Sequence, residues 1–106
     1  MTSESKVPLT ELDEKNETIE FENDHVRVLR VKTGPGEKRR HRKRLDRVLV
    51  WLSDAHEKRT ASDGTTREVK HRAGDVAFRE ASEHALENLK DVPVHLLVIE
   101  LKHKQS

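Results

Sequence analysis

The chain contains no cysteine and no tyrosine, and its aromatic residues are Phe21, Trp51 and Phe78 alone. Without cysteine there is no disulfide framework, thiol nucleophile or thiolate-ligated zinc, which fits a reducing compartment. So few aromatics leave little for base stacking, the usual platform for single-stranded nucleic acid. Long apolar runs are missing too. The longest, Val48-Leu49-Val50-Trp51-Leu52, is far short of the roughly 20 residues that span a bilayer. The opening residues Met1-Thr2-Ser3-Glu4-Ser5-Lys6-Val7-Pro8 hold no apolar core of signal-peptide length. A cytoplasmic protein with no membrane partner is the expectation.

Charge is abundant but balanced. Charged residues make up 39% of the 106 and hydrophobic residues 32%, yet the net charge is only +1. That composition leans toward disorder, but self-repulsion is absent and the apolar residues are clustered. The length suits one domain. A barrel of about 85 residues with so thin a core is marginal alone, so a homodimer is expected.

Residues 1–16 are polar and form an N-terminal arm, either disordered or ordered against a partner, possible strand exchange between protomers included. From Glu17 the pattern is short strands between turn signals. Ile19 and Phe21 alternate with glutamates; Val26, Val28, Leu29 and Val31 follow; Gly34-Pro35-Gly36 breaks the strand. The run Val48 to Leu52 is short and β-branched, which favours a buried strand. Ser62-Asp63-Gly64 lies between two strand-like segments, a strong hairpin signal. Ala73-Gly74-Asp75 and Asp91-Val92-Pro93 mark further turns. Turns every 8–12 residues give the rhythm of a sandwich or barrel. Residues 79–90 are rich in helix formers, and on propensity alone they read as a helix.

Two segments carry motif-like spacing. Pro35-Gly36-Glu37 precedes His41, and Asp46 opens the apolar strand that follows. Gly74-Asp75-Val76 is followed ten residues after its glycine by His84, then by Asn88 in a His-x-x-x-Asn pattern. With the closing strand from Val94 to Leu101, these residues make the stretch from Asn23 to Lys102 resemble the small single-domain cupins. The resemblance implies an all-β, single cupin-type double-stranded β-helix or jelly-roll barrel over residues 17–103, with residues 79–90 extended. It also implies a metal site of histidines and one carboxylate. His41 and His84 stand at two of the four ligand positions, while Lys43 stands at the second histidine and Arg47 or Val48 at the glutamate. Glu80 and Ser82 replace the usual Pro and Gly.

The site has two readings. A metal-dependent enzyme of dioxygenase or isomerase type would use His41 and His84 on a divalent Fe, Mn or Zn, with Asp46 or His95 completing the set. But in an unbroken strand Lys43 shares the face of His41, and an ammonium has no lone pair to offer a metal. The favoured reading is therefore a small-molecule-binding barrel with a degenerate metal site. Lys43 and Arg47 attract an anionic ligand there, and Trp51 and Asn88 complete the ligand-binding set. The plain alternative is that Lys43 and Arg47 face solvent at the rim. The basic run Lys38-Arg39-Arg40-His41-Arg42-Lys43-Arg44 invites a nucleic-acid reading, which the near-zero net charge and missing aromatics disfavour.

Overall fold

A computed structural model describes residues 12–102. Among them there are nine strands and no helix: β1 (Glu17–Glu22), β2 (Val26–Thr33), β3 (Lys38–Arg44), β4 (Arg47–Trp51), β5 (Ala55–Ala61), β6 (Thr66–His71), β7 (Val76–Arg79), β8 (Ser82–Asn88) and β9 (Val94–Leu101). They form two antiparallel sheets facing each other, ordered β1-β2-β9-β4-β7 and β3-β8-β5-β6. No helix among the described residues is long and apolar enough to cross a membrane.

The five-stranded sheet follows directly from alternation in the sequence. In β2 the buried residues are Arg27, Leu29, Val31 and Thr33; in β9 they are Val94, Leu96, Val98 and Glu100. The antiparallel register sets Leu29 opposite Val98 and Val31 opposite Leu96, so one face of both strands is apolar at period two. At one end of this ladder Arg27 Nε lies 2.6 Å from Glu100 Oε1, with both side chains buried.

The apolar core is Leu29, Val31, Trp51, Ala55, Val94, Leu96 and Val98. All but Ala55 come from the five-stranded sheet. The facing sheet turns inward Arg39, Arg44, Glu57, His84 and Asn88, all buried. The five-stranded wall thus supplies almost all of the apolar core while also burying Glu17, Arg27, Arg47 and Glu100, and the facing wall is mostly polar and charged, which is how so little hydrophobic sequence can close the barrel.

Residues 79–90 are extended, against their helix propensity. Strand β8 is hydrogen-bonded on both sides, to β3 and β5, and tertiary pairing outweighs a preference of a few tenths of a kcal/mol per residue. The Asp63-Gly64 hairpin forms between β5 and β6. Gly64 has φ of 89°, which only glycine adopts without strain, and Asp63 Oδ1 accepts from Thr65 N at 3.0 Å.

The expected arm lies mostly in residues 1–11, outside the described residues, as does the last residue of the expected barrel range, 103. Its inner end packs on the barrel. Leu12 lies against the core, and Asn16 Nδ2 donates to Lys32 O at 2.9 Å and Glu37 Oε2 at 3.0 Å.

Asn88 ties the turns together. Its Nδ2 donates to the carbonyls of Thr33, Gly34 and Val92 at 2.9–3.2 Å, and its Oδ1 accepts from Lys90 N. Asn88→Ala strands these groups in a fully buried place. Urea unfolding is expected to show a loss of about 3 kcal/mol with an unchanged slope.

Candidate functional site

The basic run in β3 folds inward around a carboxylate. The β3–β8 register shifts between Arg39 and Arg42, a bulge that reverses which residues face inward. Arg39 then lies opposite Leu86, Arg42 opposite His84 and Arg44 opposite Ser82. Their guanidinium groups meet Glu17 Oε2 at 2.6, 2.9 and 3.4 Å respectively. Burial alone would push the Glu17 carboxyl up. Hydrogen bonds from Arg42, the Asp13 backbone and Arg39 overrule it and bring the pKa from 4.5 down to about 2.

The same bulge decides the place of Lys43. It pairs with Glu83 on the outer face and is exposed, so it does not enter the barrel. The strand expected to carry His41 and Lys43 on one inner face is interrupted by the shift between Arg39 and Arg42.

Between the two walls lies a cavity of about 60 Å³. Its apolar side is built from Val31, Leu49, Trp51, Leu96 and Val98; its polar side carries five arginines, Arg39, Arg44, Arg47, Arg59 and Arg79, against one carboxylate, Glu57. Arg59 and His84 also line an outer cleft of about 340 Å³ beside the β5–β6 hairpin.

Arg39 and Arg44 are ion-paired to Glu17. Arg47, Arg59 and Arg79 have no carboxylate partner within ion-pair distance among the described residues. Arg47 donates to the carbonyls of Leu45 and Glu80 at 3.0 and 3.2 Å. Arg59 Nη2 lies 3.3 Å from His84 Nδ1. Burial, then the charges of Arg59 and Arg79, lower the Arg47 pKa from 12.5 to about 10. Burial, then Arg39 and Arg42, do the same for Arg44. Both stay protonated at neutral pH.

His84 sits among these cations. Burial first, and then Arg59, Arg44, Arg47 and Arg39, push its pKa from 6.5 down to about 3, so the ring is neutral near pH 7. Burial raises the pKa of Glu57 against the pull of Arg39, Arg59 and Arg44. At the apolar end the Trp51 and His71 rings stack, with centroids 3.6 Å apart.

Among the described residues, three buried polar side-chain atoms have no hydrogen-bond partner: Arg39 Nε, Arg44 Nε and Trp51 Nε1. All three are donors, and all belong to residues lining the cavity. Buried donors left unpaired are costly, so the chemistry wanted here is that of an acceptor.

The barrel has solved counterparts. A cupin domain from Bordetella pertussis Tohama I superposes with a TM-score of 0.76, covering 91% of this chain and 96% of its own length at 21% identity. A double-stranded β-helix protein from Klebsiella pneumoniae gives 0.62 over 83% and 84%, at 16% identity. The chain folds as a small cupin domain. Oxalate decarboxylase of Bacillus subtilis, a protein with Mn(II) centres, also matches, with a TM-score of 0.56 and 27% identity over 78% of this chain. This cupin domain covers only 23% of that enzyme. No family model and no curated protein matches it by sequence.

The residues singled out from the sequence are placed unevenly in this cupin barrel. Arg47, Trp51 and His84 meet at the cavity. Asn88 is committed to backbone carbonyls and does not line it. His95 projects to the outer face of β9, its Nε2 3.2 Å from Arg30 Nη1. Asp46 Oδ1 accepts from Ala81 N at 2.6 Å in the turn between β7 and β8. His41 has its backbone in β3, and its side chain lies outside the described residues. Among the described residues no three His, Asp or Glu side chains gather as a metal-ligand group. The described donors do not fit a divalent cation: His84 is hemmed in by four guanidinium groups, and the orphaned buried atoms of the lining residues are all donors. Such surroundings repel a cation.

Glu17, Glu57, Arg59, His71 and Arg79 are the site residues that reading the sequence misses. In β5 every residue from His56 to Thr60 is polar, so only Ala55 and Ala61 mark the inward parity that Glu57 and Arg59 share.

Proposed function

We propose that this cupin domain is a binding module for a small, oxygen-rich anion, a carboxylate or phosphate, held inside the barrel by Arg47, Arg59 and Arg79. The observation that carries this reading is the excess of donors in the cavity: three arginines with no carboxylate within ion-pair distance among the described residues, and unpaired donors that belong to its lining residues. An anion supplies what both lack. In a partly dry cavity each charge-assisted bond is stronger than in water, and a guanidinium grips a carboxylate through two parallel bonds. A cavity of about 60 Å³ admits the head of a small ligand, with the outer cleft taking any remainder. Trp51 and Leu96 offer an apolar wall to a carbon skeleton.

The likeness to oxalate decarboxylase supports oxalate as a first probe, because that enzyme is named for a small dianion. Calorimetric titration with oxalate and with inorganic phosphate tests the reading. Binding of at least one is expected. Arg59→Ala and Arg79→Ala are each expected to weaken it by about 10- to 100-fold, the worth of one charged hydrogen-bond pair. The affinity should also fall with added salt. No binding at millimolar anion, or arginine variants that bind as well as the parent, would remove the proposal.

A further inference from the structure

The outer face of the five-stranded sheet carries an apolar row that no part of the described chain covers. The registers set Phe21 beside Val28, Val28 beside Ile99, Ile99 beside Val48, and Val48 beside Phe78. Cross-strand partners share a face. Val28, Ile99 and Val48 alternate with the buried residues of their strands, so the whole row points outward. It runs across all five strands and ends on the chain's two phenylalanines, which are 54% and 53% exposed. A second tier follows one step along the strands, with Leu97 beside Val50 and Val50 beside Val76, and Val76 is 65% exposed.

We infer that this face is the interface of a symmetric homodimer, with a second copy of the chain packed sheet against sheet. The order of residues points to a second copy. Read from either edge, the row is Phe, Val, Ile, Val, Phe. A two-fold axis lying between the sheets, whether along or across the strands, therefore sets Phe against Phe, Val against Val and Ile against Ile. Closed dimers use one self-complementary patch on both subunits, and a palindromic row is such a patch.

The shape agrees. The outer face of a barrel is convex across its strands, so two copies touch first at the central strand and diverge toward the edges. Strand β9 is central in the sheet order, and its Ile99 sits at the point of closest approach. The largest side chains stand at both edges, where the gap is widest. Aromatic pairs there add stabilisation beyond their buried area.

The extent is also adequate. Five strands at about 4.8 Å spacing and up to eight residues at about 3.4 Å give a face of about 600 Å², close to the roughly 800 Å² each partner contributes to a standard interface. The dimer requires no exchange of the N-terminal segment and leaves the cleft beside the β5–β6 hairpin open on the opposite sheet. It stands independently of what the cavity binds.

Sedimentation equilibrium of the full chain tests this. A dimer is expected at about 100 µM protein, within reach of a modest interface. Phe78→Glu and Phe21→Glu each place a charge in the apolar row and are expected to raise the dimer dissociation constant by about 100-fold or more, with the β-type circular dichroism retained. Phe78→Ala adds no charge and should raise it by about tenfold. Lys70→Glu, on the outer side of the other sheet, should leave it unchanged. A parent chain that stays monomeric overturns the inference and leaves the face to residues 1–11 or to a partner of different sequence. A dimer that persists in folded Phe21→Glu and Phe78→Glu also overturns it, because the contact then lies elsewhere.

Discussion

Glu17→Ala is expected to lower the melting temperature by about 15 °C or more. Three arginines converge on this one carboxylate, and their side chains are 3%, 9% and 8% exposed. Removing the carboxylate leaves buried charge uncompensated, a change that costs about 3–5 kcal/mol. A domain this size has roughly 5–15 kcal/mol in total, and each kcal/mol moves the midpoint by about 4–8 °C. Thermal circular dichroism reads the effect, and a shift below about 5 °C would mean the arginines find other partners. The same carboxylate contributes to acid sensitivity. Its folded pKa, about 2, lies below its ordinary 4.5. Its stabilisation is therefore complete above pH 4.5 and is lost as pH falls toward 2.

His84 is expected to dominate the pH dependence above that range. Its folded pKa is about 3 against an ordinary 6.5. Below pH 6.5 the unfolded chain takes up a proton that the folded barrel refuses. Stability then falls by about 1.4 kcal/mol per pH unit from this group, and by about 5 kcal/mol once pH 3 is reached. Glu57 works in the opposite direction. Its raised pKa lets the folded state hold a proton more tightly, so its contribution grows as pH falls through the folded pKa toward 4.5. The parent profile should thus be shallower than His84 alone would give. In His84→Gln the decline between pH 6.5 and 4.5 is expected to become much shallower, the remainder coming from His71, whose pKa burial and Arg79 also lower. Urea unfolding across that interval checks it, and parallel profiles for parent and variant would rule out the histidine as the source.

What the sequence reveals depends on whether a strand's two faces differ. In β2 and β9 they do, and Leu29, Val31, Leu96 and Val98 mark the core face plainly. In β3 they do not. Every residue from Lys38 to Arg44 is polar or basic, so nothing in the composition marks the bulge before Arg42. That one-residue step turns Lys43 outward and sends Arg39, Arg42 and Arg44 to Glu17. Glu17 itself lies 22 residues or more from these arginines in sequence, and only the sheet pairing brings them together. Propensity misleads at β8, where good helix formers are held extended by ladders on both sides. The anionic character of the expected ligand is visible in Arg47 alone. Its companions escape notice because Arg59 lies in the polar stretch of β5 and Arg79 stands alone at the end of the short apolar strand β7. The cupin resemblance supplies the barrel, but this chain fills the metal-binding end of the pattern with guanidinium groups.

The anion proposed to sit on the cavity arginines has a direct spectroscopic readout. Nitrogen-edited NMR of the arginine Nε–Hε groups tests it most directly, with oxalate or inorganic phosphate added first and Mn(II) to a fresh sample. Selective, saturable shifts of Arg47, Arg59 and Arg79 with an anion, and no paramagnetic broadening centred on His84 with Mn(II), are the expected result. Silent arginines together with stoichiometric Mn(II) broadening around His84 would contradict it.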